Sequence, residues 1–287
     1  MDIKDLVRKV KQLEIRSNRR TQASLMGQYH SAFKGQGMTF SEVRPYQDGD
    51  DIRRFDWNKT ARFQEPYVKV MEEERQLTVM LMVDVSASMD YGTFQALKRE
   101  YVAEIAASIG FSAVGNNDKV GLILYSDTVK KVIPPAGGRK HLLSLLSQIL
   151  SYPYEPTVSR TSEALQYLMR VFKKRSFVFV FSDFHDPLEE KIFGVASRKN
   201  EVLCFRITDS KEKKIPDIGY ALLKDSETEQ KVWVNTSSKR WRYEYVEAQR
   251  KKAKELKELV DRNNAGLIEL ESGDDYLRPL YRYFQSR

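Results

Sequence analysis

The sequence has almost no cysteine and no long apolar segment, and both absences limit what the protein can be. Its one cysteine, Cys204, lies in the strand-like segment EVLCFRIT. A single cysteine cannot form an internal disulfide, which favours a reducing, cytoplasmic location. The longest largely apolar run, residues 77–83, is far shorter than the ~20 residues of a membrane helix. The N-terminus has acidic residues from position 2 and no apolar block, so it does not match a secretory signal.

Motifs of common nucleotide-binding and hydrolytic enzymes are also missing. The sequence contains no G-x-x-x-x-G-K-[ST] phosphate loop and no G-x-S-x-G turn, which excludes P-loop ATPases and the usual serine hydrolases. Its three histidines, His30, His141 and His185, share no metal-ligand spacing, and we interpret them as structural or surface residues. His185 is the one that lies next to a candidate site residue, two positions after Asp183.

The net charge of +8 by itself favours nucleic acid or an anionic surface as a partner. The excess is divided between residues 1–62, at +5, and residues 210–265, at +4, while the rest of the chain sums to −1. Both segments are dense in both signs, and no DNA- or RNA-binding signature accompanies them. Nucleic acid is therefore not the expected partner.

From Gln76 onward, strand patterns alternate with helical patterns. The apolar runs LTVMLMVDV, DKVGLILYS, SFVFVFSDF, EVLCFRIT and GLIELES are separated by segments with apolar residues every three or four positions,. This predicts an α/β fold of residues 76–287, with a mostly parallel sheet and helices on both faces. VKKVIPP is expected as an edge strand and residues 219–236 as a hairpin insertion. Residues 1–75 are expected to form an N-terminal helix and an arch or small β extension that packs on this core.

Oxygen-bearing side chains follow the ends of the predicted strands. Asp84, Ser86 and Ser88 alternate just past the first core strand, Asp183 ends another strand, and Thr161 begins a helix. Open α/β sheets bind ligands at the carboxyl ends of their strands, so these side chains can meet at one edge. Such oxygens suit a hard cation, Mg²⁺ first, with Mn²⁺ or Ca²⁺ as alternatives. The alternative for Thr161 and Asp183 is that each caps a helix N-terminus.

The segment DVSAS, with the later Thr161 and Asp183, resembles the metal-ion-dependent adhesion site of von Willebrand factor A-like domains. The resemblance covers the chain from about Gln76 to the C-terminus. It implies a von Willebrand factor A-like (Rossmann-like) fold and a divalent metal site. The ligands that it implies are Asp84, Ser86, Ser88, Thr161 and Asp183.

A second resemblance is more specific. FSEVRPYQDGDDIRRFDWNKTAR, followed by VKVMEEE, is similar to the hallmark of domain-of-unknown-function family 58. The residues that match the hallmark are Val43, Arg44, Tyr46, Gly49, Asp50, Asp51, Asp56, Trp57, Ala61 and Arg62. Asp48 departs from it, since many members have proline there, but aspartate and glycine also make a turn. The resemblance implies that the protein acts together with a MoxR-type AAA+ ATPase in the assembly or maturation of protein complexes.

The charged turn RPYQDGDDIRRFDW has two interpretations. It can be a solvated turn with exposed ion pairs of little energetic value. It can also be a packed arch, in which Arg44 and Arg62 meet Asp51 and Asp56 under Trp57. We favour the arch, because its aromatic side chains need a place to pack. Its expected role is structural first and partner-facing second.

Together these features favour a non-enzymatic, metal-dependent protein-binding adaptor. An acidic residue of the partner would complete the coordination of the metal. A haloacid-dehalogenase-like phosphatase would need a second aspartate where Ser86 stands. A metal-dependent phosphoesterase of unfamiliar type is therefore the enzyme alternative, and a structural scaffold with a degenerate site is the third hypothesis.

Overall fold

A computed structural model describes Gln12 and residues 39–72, 76–90, 98–153, 157–209, 216–224 and 231–285. The expected N-terminal helix, His30 and the hairpin turn at 225–229 lie outside the described residues. The described strands are β1 (Thr39–Pro45), β2 (Tyr67–Glu72), β3 (Thr78–Asp84), β4 (Lys119–Tyr125), β5 (Val129–Ala136), β6 (Phe177–Ser182), β7 (Glu201–Thr208), β8 (Tyr220–Lys224), β9 (Lys231–Asn235) and β10 (Gly266–Glu271). The described α-helices are α1 (Trp57–Phe63), α2 (Lys98–Gly115), α3 (Arg139–Ser151), α4 (Thr161–Val171), α5 (Glu190–Lys199), α6 (Lys239–Arg262) and α7 (Leu277–Gln285).

A six-stranded, mostly parallel sheet forms the centre of the fold. Its strand order is β10-β7-β6-β3-β4-β5. The edge strand β5 is antiparallel to β4, and the other pairings are parallel. The continuous apolar runs of the sequence become these strands because both faces of each strand are covered. The predicted α/β fold class is thereby confirmed.

Two layers of helices cover the sheet, and alternate residues of one strand point into each. In β3, Leu81 and Val83 pack with α2, α3 and α7, whereas Met80 and Met82 pack with α4, α5 and α6. This alternation is the period of two that a strand imposes on its side chains. The core therefore has two apolar layers with the sheet between them.

The chain reverses its direction of travel across the sheet beside β3. From β3 it proceeds to β4 and β5 on one side, and it then returns to β6, β7 and β10 on the other. The carboxyl ends of β3 and β6 therefore flank a topological switch point, the place where open α/β sheets bind ligands. Asp84 is the last residue of β3, and Asp183 directly follows β6.

The N-terminal arch is a small unit built on the antiparallel pair β1–β2. A 3₁₀ helix at Ile52–Arg54 and the short helix α1 connect the two strands. Arg44 donates two hydrogen bonds to the Asp50 carboxylate, at 2.8 and 2.7 Å. These bonds hold the pKa of Asp50 below its usual value. Phe55 packs edge-on against both Tyr46 and Trp57, with ring centroids 5.3 Å apart in each case.

The pairing predicted inside the arch is wrong in its details. The described side-chain partner of Arg44 is Asp50. Asp51 instead accepts a hydrogen bond from the Arg53 backbone N–H. Asp56 accepts hydrogen bonds from the backbone N–H groups of Asn58 and Lys59. Both aspartates are therefore N-caps of short helices, a role that aspartate fills well. Trp57 does not cover the ion pairs, since 66% of it is exposed. Arg62 is an exposed residue in the last turn of α1.

The strands β8 and β9 form a separate antiparallel pair at the place where the hairpin was expected. Tyr220, Leu222 and Trp233 share one face of it, because Leu222 pairs with Trp233 and Tyr220 lies two positions earlier. All three are exposed. The hairpin precedes α6, whose N-cap is Ser238.

Candidate functional site

The Asp84 carboxylate links the two strands at the switch point. Its Oδ1 accepts a hydrogen bond from the Ser86 backbone N–H at 2.9 Å. Its Oδ2 accepts one from the Ser182 hydroxyl at 2.7 Å. Because Ser182 ends β6 and also accepts the Phe184 N–H at 3.0 Å, the end of β6 is held directly against the end of β3.

The two serines after Asp84 point their hydroxyls at each other. Ser86 Oγ and Ser88 Oγ lie 3.1 Å apart, and both side chains are buried. Ser88 lies in a 3₁₀ helix at Ala87–Asp90, whose tight turn brings the alternate side chains together. Neighbouring oxygens around an octahedral Mg²⁺, each about 2.1 Å from the ion, are about 3.0 Å apart. The observed hydroxyl separation therefore matches one edge of such an octahedron.

Asp183 is fully buried and has contacts with two cationic or basic side chains. Its Oδ2 lies 3.4 Å from the Lys98 ammonium and 3.8 Å from His185 Nε2. Its Oδ1 accepts the His185 backbone N–H at 3.3 Å. The Lys98 ammonium also donates to the Ser88 carbonyl oxygen at 3.3 Å. Lys98 thereby connects the segment after β3 with the segment after β6.

Thr161 enters the site from a third segment. It is the first residue of α4, and its hydroxyl lies 3.1 Å from the Tyr125 hydroxyl at the end of β4. The Tyr125 ring is fully buried, and burial together with the nearby Asp84 charge raises the pKa of its hydroxyl. The helix-capping alternative does not describe Thr161, since Arg160 occupies the N-cap position of α4. It does not describe Asp183 either, since Glu189 is the N-cap of α5.

The pKa values of the two carboxyl groups are shifted in opposite directions. Burial raises the pKa of Asp84 to about 6, and the neighbouring Asp183 charge adds to that effect. Burial also acts to raise the pKa of Asp183, but His185, Lys98 and Ser88 together outweigh it, so the pKa of Asp183 is lowered. A cation at this edge would favour the ionised form of both groups.

The side chains that converge here supply hard oxygen donors, which are the ligands that a hard cation prefers. The five predicted ligands are oxygen donors from three segments that converge at one sheet edge. A sixth oxygen, the buried Ser159 hydroxyl, interacts with Asp84 and makes no hydrogen bond of normal geometry in the described part of the chain. The described residues contain no group of three or more histidine, cysteine, aspartate or glutamate side chains suited to a metal. Any metal here would therefore depend on the hydroxyls.

Sequence reasoning missed three residues of this site. Lys98 and Ser159 belong to no motif, and only the folded chain brings them to the sheet edge. Ser182 had a detectable signal, because it ends the strand directly before Asp183. Its hydroxyl was within reach of the neighbouring strand once the order of β3 and β6 was known.

A groove with a volume of about 310 Å³ opens beside the site. Phe184, Leu188, Leu256 and Leu259 supply its apolar part, and His185 joins it to the Asp183 carboxylate. Phe184 follows Asp183 in a left-handed backbone conformation, with φ 53°. Non-glycine residues seldom adopt that conformation, and they concentrate at functional sites.

The strand order, the antiparallel edge strand and the acidic switch point define a mixed α/β domain with the von Willebrand factor A-like fold. The chain belongs to the family described as Protein of unknown function DUF58, whose model matches residues 42–255. The resemblance predicted from the charged turn is thus confirmed. Uncharacterized proteins of Mycobacterium tuberculosis and Mycobacterium bovis are each 32% identical to it over 233 residues, covering 79% of this chain and 73% of their own.

Solved structures similar to this chain share little sequence with it. An aerotolerance-related membrane protein from Bacteroides fragilis, solved with multiple mutations to serines, has a TM-score of 0.49 and 15% identity, covering 73% of this chain and 97% of its own. The SpRpn10 VWA domain has a TM-score of 0.42 and 12% identity, covering 73% and 95%. An uncharacterized membrane spanning protein from Vibrio fischeri has a TM-score of 0.28 and 15% identity, covering 74% and 98%.

The cytoplasmic location predicted from the cysteine content is wrong by this comparison, because two of these three structures are of membrane proteins. Within the parts of the chain that the structure describes, no helix combines the length and the apolar character needed to cross a bilayer.

Proposed function

We propose that the protein is a non-enzymatic adaptor that binds a protein partner through a divalent cation, with Mg²⁺ as the first candidate and Mn²⁺ or Ca²⁺ as alternatives. The residues that would hold the cation are Asp84, Ser86, Ser88, Thr161 and Asp183. The cation would supply a positive centre that an acidic side chain of the partner can contact. By family resemblance, the proposed partner is a MoxR-type AAA+ ATPase.

One observation carries this proposal: oxygens from three chain segments converge at the switch point of the sheet. Asp84 already has a hydrogen bond to each carboxylate oxygen, so it would act on the cation mainly through its charge. The serine hydroxyls, 3.1 Å apart, carry no charge of their own and would leave the cation appreciably positive. An attraction between that cation and a carboxylate is screened less in such a buried place than in water.

Access to the site is part of the proposal. The least buried of the five proposed ligands, Thr161, is only 4% exposed. A partner carboxylate can therefore reach the cation only after the segments at this edge move apart. The segment 182–188 is the one that would move, because it joins the site to the open groove and contains the left-handed Phe184.

Titration of the protein with its partner in Mg²⁺ and in EDTA tests the proposal. The partner protein is a MoxR-type ATPase from the same organism, and calorimetry with Mg²⁺ alone accompanies each titration. We expect Ser86→Ala and Thr161→Ala to weaken partner binding in Mg²⁺ at least about tenfold, or 1.4 kcal/mol, with circular dichroism unchanged. The matched control is Ser112→Ala, since Ser112 is a buried serine near the far end of α2. Partner affinity that is the same in EDTA and in Mg²⁺ would contradict the proposal.

The position of His185 is the observation that favours the enzyme alternative. Its ring nitrogen lies 3.8 Å from Asp183 Oδ2, and about a third of its side chain is exposed, so it could transfer a proton to a substrate beside a metal. A Mg²⁺-dependent phosphoesterase would then lose turnover in His185→Ala. If the wild type hydrolyses p-nitrophenyl phosphate and both His185→Ala and Asp84→Ala lose this activity, the adaptor hypothesis is rejected in favour of the enzyme hypothesis. A scaffold with a degenerate site predicts neither turnover nor Mg²⁺ binding.

A further inference from the structure

Lys98 is an unusual component of this site. It lies in α2, it has no exposed surface, and its ammonium contacts both Asp183 and the Ser88 carbonyl oxygen. Lysine is almost never fully buried unless it is paired. This cost of burial implies that the Asp183 carboxylate helps to hold Lys98 in place.

The buried cluster differs from a simple two-carboxylate metal site because it also contains the positive charge of Lys98. Asp84 and Asp183 supply two negative charges, and Lys98 supplies one positive charge. The nearby Arg206 donates to the Asp183 carbonyl oxygen at 3.4 Å, but its charge is matched by Glu269 at 2.9 Å. Lys98 therefore offsets part of the negative charge that would attract a cation.

We propose that Lys98 is the built-in counter-charge of the site, which holds the metal-free form together and makes occupation by a divalent cation depend on an acidic partner. The inference rests on the proposed function. Without a partner, two carboxylates, one ammonium and a divalent cation leave one net positive charge in a buried place. One carboxylate from the partner neutralises it. Lys98 thus lowers the affinity for the free cation and favours its binding together with an acidic group of the partner.

The first test measures Mg²⁺ affinity by calorimetry in wild type, Lys98→Met and the control Lys140→Met. Methionine keeps the length and apolar stem of lysine, and Lys140 is an exposed lysine on α3. We expect Lys98→Met to bind Mg²⁺ at least about tenfold more tightly than wild type, or 1.4 kcal/mol, and Lys140→Met to match wild type. Equal affinity in wild type and Lys98→Met overturns the inference and leaves the proposed metal site standing. No Mg²⁺ binding by any of the three proteins overturns both.

The second test uses acetate as the probe for the partner carboxylate. Mg²⁺ affinity is measured in sodium acetate and in sodium chloride at equal ionic strength. We expect acetate to strengthen Mg²⁺ binding more in wild type than in Lys98→Met, because only wild type has the uncompensated positive charge. An equal effect of acetate on the two proteins overturns the link between Lys98 and an acidic partner.

A third measurement decides the matter if Lys98→Met folds poorly. The double variant Lys98→Met/Asp183→Asn removes both members of the ion pair, so Asp183 does not remain as a buried carboxylate without Lys98. In EDTA its thermal midpoint should exceed that of Lys98→Met alone. A double variant that melts at or below the single variant would show that Asp183 is not what holds Lys98, and it would overturn the counter-charge role.

Discussion

The candidate site and the N-terminal arch both place aspartates beside a cationic side chain, but at very different distances along the chain. In the arch, Asp50 pairs with Arg44 six positions away, and Asp56 caps the helix that follows it. In the site, Asp183 pairs with Lys98 from 85 positions away, and Asp84 accepts a hydrogen bond from Ser182 across 98. The local aspartates shape a turn that remains in water. The distant ones join separate strands, and their burial creates an electrostatic cost that a cation can relieve.

The largest expected contrast comes from removing one carboxylate in each region. Asp183→Ala leaves the buried Lys98 ammonium without a main counter-charge, and breaking a buried pair in this way costs roughly 3–5 kcal/mol. We expect that loss in the free energy of unfolding, measured with urea in EDTA. Asp50→Ala is the matched variant in the arch, and it should cost much less because its pair with Arg44 is partly solvated,. Similar losses in the two variants would remove the distinction between the regions.

A smaller effect is expected from the helix cap in the arch. Asp56→Ala removes the acceptor for the Asn58 and Lys59 backbone N–H groups and should cost about 1 kcal/mol. Amide hydrogen exchange should show faster exchange in α1 and unchanged exchange in β3. Asp56→Asn is the control, since asparagine caps a helix as well as aspartate does. Faster amide exchange throughout the central sheet in Asp56→Ala would mean that the stability of the core depends on the arch, which would contradict the contrast between the two regions.

The smallest effect is expected at Trp57. Because two thirds of this residue is exposed, Trp57→Ala should change the free energy of unfolding by no more than about 0.5 kcal/mol. The measurement is a urea titration followed by circular dichroism, so that the lost fluorescence does not interfere. Phe55→Ala is the comparison, because Phe55 is half-buried between Tyr46 and Trp57. A loss at Trp57 as large as that at Phe55 would restore the packed arch expected from the sequence.

The fold was predictable because continuous apolar runs leave few alternatives to a sheet covered on both faces. The alternation of Asp84, Ser86 and Ser88 after such a run was also visible in the sequence, and the structure brings the Ser86 and Ser88 hydroxyls together; a metal at this place stays a prediction. Inside the arch, by contrast, several aspartates and arginines lie within reach of one another, and the sequence does not rank their pairings. The positions of Asp51 and Asp56, each directly before a short helix, did contain a capping signal. Lys98 had no such signal, because a lysine in a helical segment is ordinarily a solvated one.

The hydrogen bond between Asp84 and Ser182 has a mechanical consequence. Asp84 belongs to the half of the sheet that continues into β4 and β5, whereas Ser182 belongs to the half that continues into β7 and β10. β3 and β6 are also paired through their backbones, so this side-chain bond adds to the pairing that joins the two halves at the switch point. A molecule that binds to the ends of both β3 and β6 would join the two halves at a further point, so its binding would stiffen the sheet.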